Sequence, residues 1–382
     1  MSARARWCGT WPCRWLGIWL LSRIAIWAIV VTAAYVKDID RDMRLASPTE
    51  WFLYRFAHWD SHLYGALAVR GYVAEGPGSH YNAFFPGLPG VMKSWSALTG
   101  TDGRWGGLLV VTLAGAVGAT LLGTLAANIS GDPRIGTYAV LLVSCTPLTV
   151  YFSVVYTEAV FMCLSLGAWI LACRDRWAWA GVLSGLACTF RLNGLFLVAS
   201  LAAFYIISKG VGARAWRIKP GALTLLLGPF FIICWAVWLH RLTGQWNAWT
   251  SAQEQGWGRT LAWPWVGVND ALVNLRAADS WHLALSRILD LAAVGIALIA
   301  PIYCVVRRNW PFAILLGLNA ATLIFSSIFV SGARYILVWF PLYIFAARFL
   351  AERRILLRAI LIASSTLALI LSYAWSQQYW IA

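Results

Sequence analysis

Long runs of apolar residues constrain this chain more than any other feature of its sequence. The first run, residues 15–36, has about 22 residues, enough to cross the roughly 30 Å hydrocarbon core of a bilayer as a helix. Lipid offers the backbone no hydrogen-bond partners, so each spanning run has to be helical. The sequence therefore predicts an all-α polytopic membrane protein with about eleven transmembrane helices. The runs are 15–36, 105–127, 135–152, 156–173, 177–191, 194–208, 221–240, 283–306, 310–329, 335–350 and 356–376.

The composition excludes other classes of protein. Apolar residues make up 60% of the chain and charged residues 12%, which rules out a disordered chain, a coiled coil and an ordinary soluble enzyme. The first run is longer than the 7–15 apolar residues typical of a signal peptide, so we expect a retained first helix. The eight cysteines form no CxxC pair and are expected to pack as small apolar side chains.

The basic residues predict the orientation in the membrane. If the N-terminus is cytoplasmic, 15 of the 30 basic residues but only three of the 15 acidic ones fall in cytoplasmic segments. Most of the net charge of +15 then faces the cytoplasm, where it can meet anionic membrane lipids. Because this charge is dispersed over several segments, it does not indicate a nucleic-acid partner.

One apolar block of 32 residues, 177–208, is interrupted by Arg191 and Asn193. A single crossing would place the basic clusters on its two sides in different compartments. Two short crossings that turn at 191–194 keep both clusters inside. We therefore predict a helical hairpin with its tip at the outer face.

Two long segments, 37–104 and 241–282, are predicted to be outer loops that carry amphipathic helices. The stretch TEWFLYRFAHWDSHLYGALAVRGY in the first loop is predicted to form one amphipathic helix near the interface. The sequence contains neither a detectable internal repeat nor a linker of low complexity. We therefore expect residues 1–382 to form a single integral membrane domain.

The predicted outer face contains a group of polar residues of types that are rare in the rest of the chain. Ionisable groups near membrane depth are costly, so their convergence from five separate loops predicts a functional site at the outer surface. The residues are His58, Asp60 and His62 in the first loop, Tyr156 and Glu158, Arg191 and Asn193, Glu254 and Arg259 in the second loop, and Arg334.

Each of these residues also has a purely structural interpretation. Asp60 is either a base that takes a proton from a sugar hydroxyl or an ordinary exposed helix residue. Glu158 either orients a substrate or is an acid favoured by a helix N-terminus. The arginines either form a fork for a phosphate or extend to the membrane surface. His58 and His62, at i and i+4, have a spacing that can hold a metal, but no third ligand is evident.

Several motifs occur together in a fixed order. The segments FAHWDSHLYGALAVRGY and NAFFPGLPG resemble the signature of the PIG-V family, the second mannosyltransferase of glycosylphosphatidylinositol (GPI) assembly, and of its bacterial relatives. Further matches extend the resemblance over roughly residues 55–350, and the combination is more specific than any one motif. They are PLTVYFSVVYTEAVF, FRLNGLFL, QEQGWGR and SGARYILVWFPL.

The resemblance implies a C-type glycosyltransferase fold (GT-C) with the active site in the outer loops. It implies a polyprenyl-phosphate-mannose donor, inversion at the anomeric carbon and Asp60 as the general base, and it requires no metal or other cofactor. The acceptor is a glycolipid or another extracytoplasmic molecule. An excess of Arg over Lys indicates a GC-rich bacterial genome and thus a bacterial plasma membrane. The substrate-binding candidates are His58, Trp59, His62, Tyr64, Arg70, Phe84, Phe85, Tyr156, Glu158, Arg191, Asn193, Arg259 and Arg334.

Two other functions stay open at this point. A transporter or flippase of lipid-linked glycans would use the same arginines and an apolar groove, but it predicts internal repeats and polar residues at the bilayer midplane. A non-catalytic subunit of a glycan-synthesis complex predicts that Asp60 is dispensable in the cell.

Overall fold

A computed structural model describes residues 11–37, 47–209 and 218–382, without the side chains of residues 34–37. Arg4, Arg6, Arg214 and Arg217, four of the basic residues in the predicted cytoplasmic segments, lie outside the described residues. Within those ranges the only β feature is an isolated antiparallel bridge between Leu261 and Ser326. The prediction of an all-α fold is therefore confirmed.

Helices follow one another along the described chain, and three 3₁₀ segments lie between them at Ser79–Ala83, Thr149–Phe152 and Pro220–Leu226. The helices are α1 (Trp11–Lys37), α2 (Pro48–Arg55), α3 (Asp60–Arg70), α4 (Gly87–Thr99), α5 (Gly103–Ser130), α6 (Pro133–Cys145), α7 (Glu158–Cys173), α8 (Trp177–Phe190), α9 (Asn193–Lys209), α10 (Leu227–Thr243), α11 (Ala248–Trp257), α12 (Pro264–Arg276), α13 (Trp281–Val306), α14 (Trp310–Ile324), α15 (Gly332–Ile336), α16 (Phe340–Leu350) and α17 (Arg354–Ser376).

Five helical segments in the described ranges are long and apolar enough to cross a membrane. Helices α7, α8, α9, α14 and α16 are apolar but shorter, with 10–17 residues each. The polytopic class is thereby confirmed, whereas the count of eleven transmembrane helices is not. The five long segments are Trp11–Ala33, Gly103–Ser130, Pro220–Thr243, Trp281–Val306 and Arg354–Ser376.

The prediction of one amphipathic helix in the first loop is wrong. Helix α2 ends at Arg55 and α3 begins at Asp60, with a turn between them. The hydrophobic pattern runs through this turn, but the carbonyl of Phe56 accepts a hydrogen bond from Val155 N at 2.9 Å instead of continuing the helix. The break predicted in the block 177–208 is confirmed, because α8 ends at Phe190 and α9 begins at Asn193.

Contacts divide the chain into two compact units. The first unit contains the described residues up to 62, residues 104–166 and residues 337–381. In it, α1 packs against α6 and α17, and α16 packs against α6. The second unit contains residues 63–103 and the described part of 167–336. In it, α14 packs against α9 and α13, and α8 packs against α4, α9 and α10.

A buried arginine organises the first unit. Arg23 lies in α1 and donates hydrogen bonds to the carbonyls of Thr149 at 2.8 Å and Ser144 at 3.1 Å, and to the Ser153 hydroxyl at 3.0 Å. The last carbonyls of a helix have no partners within it, and a buried carbonyl without one is costly. Arg23 satisfies such groups in the last turn of α6 and just after it, and so fixes the stretch that leads to α7.

Two glycines allow the motif segments of the second unit to pack closely. A Cβ atom at Gly87 would lie 2.7 Å from the carbonyl oxygen of Thr189 and 2.9 Å from the Phe190 ring. A Cβ atom at Gly194 would lie 2.5 Å from Cys188 N. Glycine is therefore required where NAFFPGLPG meets the end of α8 and where α9 turns back along α8.

Candidate active site

Asp60 lies at a strained turn in the first unit. It is the first residue of α3 and is 5% exposed. Trp59, directly before it, has a φ of 55°, in the left-handed region. This conformation costs a residue other than glycine about 1–3 kcal/mol, and such strain is concentrated at functional sites. The start of α3 is also where the helix dipole favours a negative charge.

The stretch 154–158 holds this turn in place. The backbone N–H of Asp60 donates to the Tyr156 hydroxyl at 3.1 Å, and the Ser61 hydroxyl donates to the Val155 carbonyl at 2.9 Å. Together with the Val155–Phe56 backbone bond, these contacts join HWDS to VVYTE. Two motifs almost a hundred residues apart thus form one structure.

Glu158 belongs to the same structure. It is the first residue of α7 and only 1% exposed. A carboxylate is rarely buried to this extent without partners. Its place in the first turn of α7 fits an acid favoured by a helix N-terminus, and its role in orienting a substrate stays a prediction.

The two histidines, which are at i and i+4 in the sequence, do not lie on one helix. His58 lies in the turn before α3, whereas His62 lies within α3, and their ring centroids are 6.5 Å apart. Burial, with help from His62 and Arg55, lowers the pKa of His58 to about 3. His58 is therefore a neutral imidazole at physiological pH. Among the described residues, no group of three or more His, Cys, Asp or Glu residues could hold a metal ion.

Two tryptophans that the sequence analysis missed pack against this turn. The Trp375 indole N–H donates to the Arg55 carbonyl at 3.0 Å, and its ring centroid lies 5.4 Å from that of His58. The Trp380 ring meets the edge of the Trp59 ring at 5.1 Å. Trp375 belongs to an apolar helix, where tryptophan usually indicates lipid contact. Its contact with the Asp60 turn therefore could not be predicted from the sequence.

In the second unit, predicted arginines converge on Tyr335. The Arg259 guanidinium lies 5.1 Å from the centroid of the Tyr335 ring and that of Arg191 lies 5.7 Å from it. Arg259 also donates to the Tyr335 hydroxyl and, at 2.8 Å, to the Val330 carbonyl. Arg334 is adjacent in sequence and buried. Three of the predicted phosphate ligands therefore lie near one phenol.

The positive charge of this group acts on the phenol itself. Burial raises the pKa of Tyr335, but Arg259, Arg334 and Arg191 outweigh burial and hold its pKa below the ordinary value. Since positive charge that favours a phenolate also favours a phosphate, the group has the electrostatics of an anion site.

Asn193 contacts a partner that the sequence analysis did not identify. Its side-chain amide donates to the Asn319 oxygen at 2.5 Å, and Asn319 in turn donates to the Leu315 carbonyl at 2.7 Å. The motif asparagine therefore ties α9 to α14. This contact is structural, and it fixes the turn that carries Arg191.

The remaining predicted residues are divided between the two units. Trp59 belongs to the first unit. Tyr64, Arg70, Phe84 and Phe85 belong to the second. There the Phe84 ring meets that of Tyr64 at 4.8 Å, Phe85 is buried, and Arg70 is exposed at the end of α3.

Asp290 is a further buried residue that the sequence analysis missed. It lies in α13, where one carboxylate oxygen accepts the backbone N–H of Ala333 at 3.0 Å and the other lies 3.7 Å from the Arg287 guanidinium. Asp290 therefore anchors α15, which carries Arg334 and Tyr335. The sequence feature that could have identified it is a single aspartate within the apolar segment ILDLAAV.

These features define a polytopic helical membrane protein with a strained, buried carboxylate turn and a cluster of arginines. Residues 86–239 match the family model described as dolichyl-phosphate-mannose-protein mannosyltransferase. The chain is 32% identical to GPI alpha-1,6-mannosyltransferase 2 of Cricetulus griseus over 162 residues, 40% of this chain and 32% of that protein. It is 27% identical to GPI mannosyltransferase 2 of Yarrowia lipolytica over 221 residues, 54% of this chain and 58% of that protein.

The predicted resemblance to GPI mannosyltransferases is thereby confirmed. The chain spans less than two thirds of the length of either relative, 32% and 58% respectively. No solved structure matches it significantly.

Proposed function

We propose that this protein is an inverting glycosyltransferase of the GT-C type that transfers mannose from a polyprenyl-phosphate-mannose donor to a glycolipid or another extracytoplasmic acceptor. The similarity to GPI mannosyltransferases supports the sugar, and the observation that carries the reaction is the buried Asp60 at a strained turn bonded to Tyr156.

Asp60 is the general base in this proposal. Its carboxylate takes the proton of the acceptor hydroxyl while the hydroxyl oxygen attacks the anomeric carbon of mannose. The bond from that carbon to the phosphate oxygen breaks, and the electron pair leaves with the phosphate. A phosphate leaves without an acid, so one base is enough. In the same proposal Glu158 accepts a hydrogen bond from the acceptor and so orients it.

Three arginines supply the phosphate ligands in this proposal. Arg191, Arg259 and Arg334 neutralise the charge that grows on the departing phosphate, and the planar guanidinium suits bidentate binding of phosphate oxygens. Support comes from the position of Arg191 and Arg259 beside one phenol, that of Tyr335.

The proposed location is a bacterial plasma membrane, with a cytoplasmic N-terminus and the active site on the extracytoplasmic face. The apolar helices and the uneven distribution of basic residues support this orientation. The partners are the lipid donor, the mannose acceptor and membrane lipids, and no nucleic acid.

The test uses the full chain reconstituted in lipid vesicles with radiolabelled polyprenyl-phosphate mannose and a lipid extract as the source of acceptor. We expect transfer of label to the extract and a loss of about 10²–10⁴-fold in rate for Asp60→Asn. Asp279→Asn, which removes an exposed carboxylate, is the matched control and should keep the wild-type rate. Full activity of Asp60→Asn would refute the assigned base.

Two further measurements test the finer parts of the proposal. Arg259→Gln and Arg334→Gln should raise the KM for the donor, and the anomeric configuration of the product, measured by NMR, should be opposite to that of the donor. A product with retained configuration would contradict direct displacement.

A further inference from the structure

The second unit contains a cavity of about 390 Å³ that none of the proposed catalytic residues lines. Its walls come from the loop 74–82 after α3 and from residues 243–255 at the end of α10 and in α11. The volume lies within the 300–1,000 Å³ typical of small-molecule sites. The cavity is thus large enough for a sugar unit.

The lining is polar and nearly neutral. Hydroxyl and amide groups dominate it, and the one charged side chain is that of Glu75. None of its described lining residues is basic, so it lacks the ligands that a phosphate or carboxylate requires. The hydroxyl and amide side chains are those of Ser79, Asn82, Thr243, Gln245, Ser251 and Gln255.

Asn82 holds the loop wall of this cavity in place. Its side chain is 3% exposed, and its nitrogen donates to the Val73 carbonyl at 2.9 Å. The amide oxygen has no hydrogen-bond partner among the described residues. This oxygen is shielded from solvent, so a ligand in the cavity meets the accessible groups instead, such as the Ser79 hydroxyl and the Gln255 amide.

The walls are joined before any ligand binds. The indole N–H of Trp249 donates to the Ala83 carbonyl at 3.0 Å, which ties α11 to the loop. Ser79 donates to the Gln255 oxygen at 3.3 Å across the cavity, a long bond that a ligand hydroxyl can replace. A site with fixed walls loses little conformational entropy on binding.

We infer that this cavity binds a neutral carbohydrate unit through its hydroxyl groups. A sugar presents several O–H groups that both donate and accept, which matches a lining of amides and hydroxyls. The carbohydrate class follows from the cavity itself, whereas the choice of a mannoside as probe rests on the proposed function.

The experiment titrates methyl α-D-mannopyranoside into the detergent-solubilised full chain and follows binding by saturation-transfer difference NMR. We expect saturable binding that weakens about tenfold in Gln255→Leu and in Ser79→Ala, because each loses a hydrogen bond to the sugar. Thr250→Val is the matched control: Thr250 is exposed on α11 and does not line the cavity. Ethanolamine is titrated in the same way as a small cation, and inorganic phosphate, which has no carbon-bound protons, is followed by ³¹P NMR as a small anion.

Misfolding is not expected in either variant, because the hydrogen bond that Ser79 and Gln255 share lies at the surface. Mannoside binding that both variants leave unchanged, or saturable binding of ethanolamine or phosphate in its place, would overturn the inference. The measurements distinguish a failure of this inference from a failure of the proposed function. Transfer of mannose without binding in this cavity contradicts the inference alone, whereas binding without transfer contradicts the proposed function alone. Asp60→Asn is expected to keep the mannoside affinity.

Discussion

The backbone N–H of Asp60 donates a hydrogen bond to the hydroxyl of Tyr156 at 3.1 Å, which joins the first turn of α3 to a segment 96 residues further along the chain. The same hydroxyl lies 3.4 Å from the His58 carbonyl and donates to it. Tyr156 therefore positions both sides of the strained residue Trp59.

Tyr156→Phe should lower kcat about tenfold with little change in KM, because the Asp60 turn loses its anchor while the carboxylate remains. A lost hydrogen bond costs about 1 kcal/mol of stability. Tyr343→Phe is the control: its hydroxyl donates to the Leu337 carbonyl at 3.0 Å in the same unit. Steady-state kinetics and thermal unfolding should show a similar loss of stability in both variants but a loss of kcat only in Tyr156→Phe. Equal kcat values would contradict the positioning role.

The left-handed backbone at Trp59 predicts an unusual order of stability. Trp59→Gly and Trp59→Val both remove the ring that meets Trp380, so their difference reports the backbone. Valine is strongly disfavoured at a φ of 55°, whereas glycine is not. Trp59→Val should therefore have a lower free energy of unfolding than Trp59→Gly, by about 1–3 kcal/mol, and a lower melting temperature. Equal melting temperatures would show that the residue is not held in this conformation.

The sequence predicted which segments come together better than it predicted their shape. HWDS and VVYTE do meet, and the break between α8 and α9 was visible because Arg191 and Asn193 interrupt an apolar block. The break between α2 and α3 was not visible, because aromatic residues continue the helical pattern through it. Hydrogen bonds to Val155 and Tyr156 create that turn, and partners so distant in sequence leave no local signal.

Burial of His58 predicts a loss of stability in acid. Its pKa is about 3 in the folded protein against an ordinary 6.5, so the unfolded chain binds the proton more readily between these values. The stability that the neutral imidazole contributes is present above pH 6.5 and falls as the pH is lowered towards 3. At pH 5 this amounts to roughly 2 kcal/mol.

His58→Gln should reduce this acid sensitivity, measured as the difference in melting temperature between pH 7.5 and pH 5. His80→Gln, which removes an imidazole from the second unit, serves as the control and should keep the wild-type difference. The hypothesis fails if His58→Gln loses as much stability on acidification as the wild-type protein.

Replacing either of two glycines in α4 by alanine should change the stability of the protein, but in opposite directions. A Cβ atom at Gly87 would lie 2.7 Å from the Thr189 carbonyl, so Gly87→Ala has to push α4 away from the end of α8. Overpacking of this kind costs about 1–3 kcal/mol. Gly90 has no atom within 4 Å of the position of a Cβ, so Gly90→Ala should stabilise the helix by about 0.5–1 kcal/mol. Thermal unfolding of the two variants measures both signs, and a stabilised Gly87→Ala would show that α4 and α8 are not in close contact.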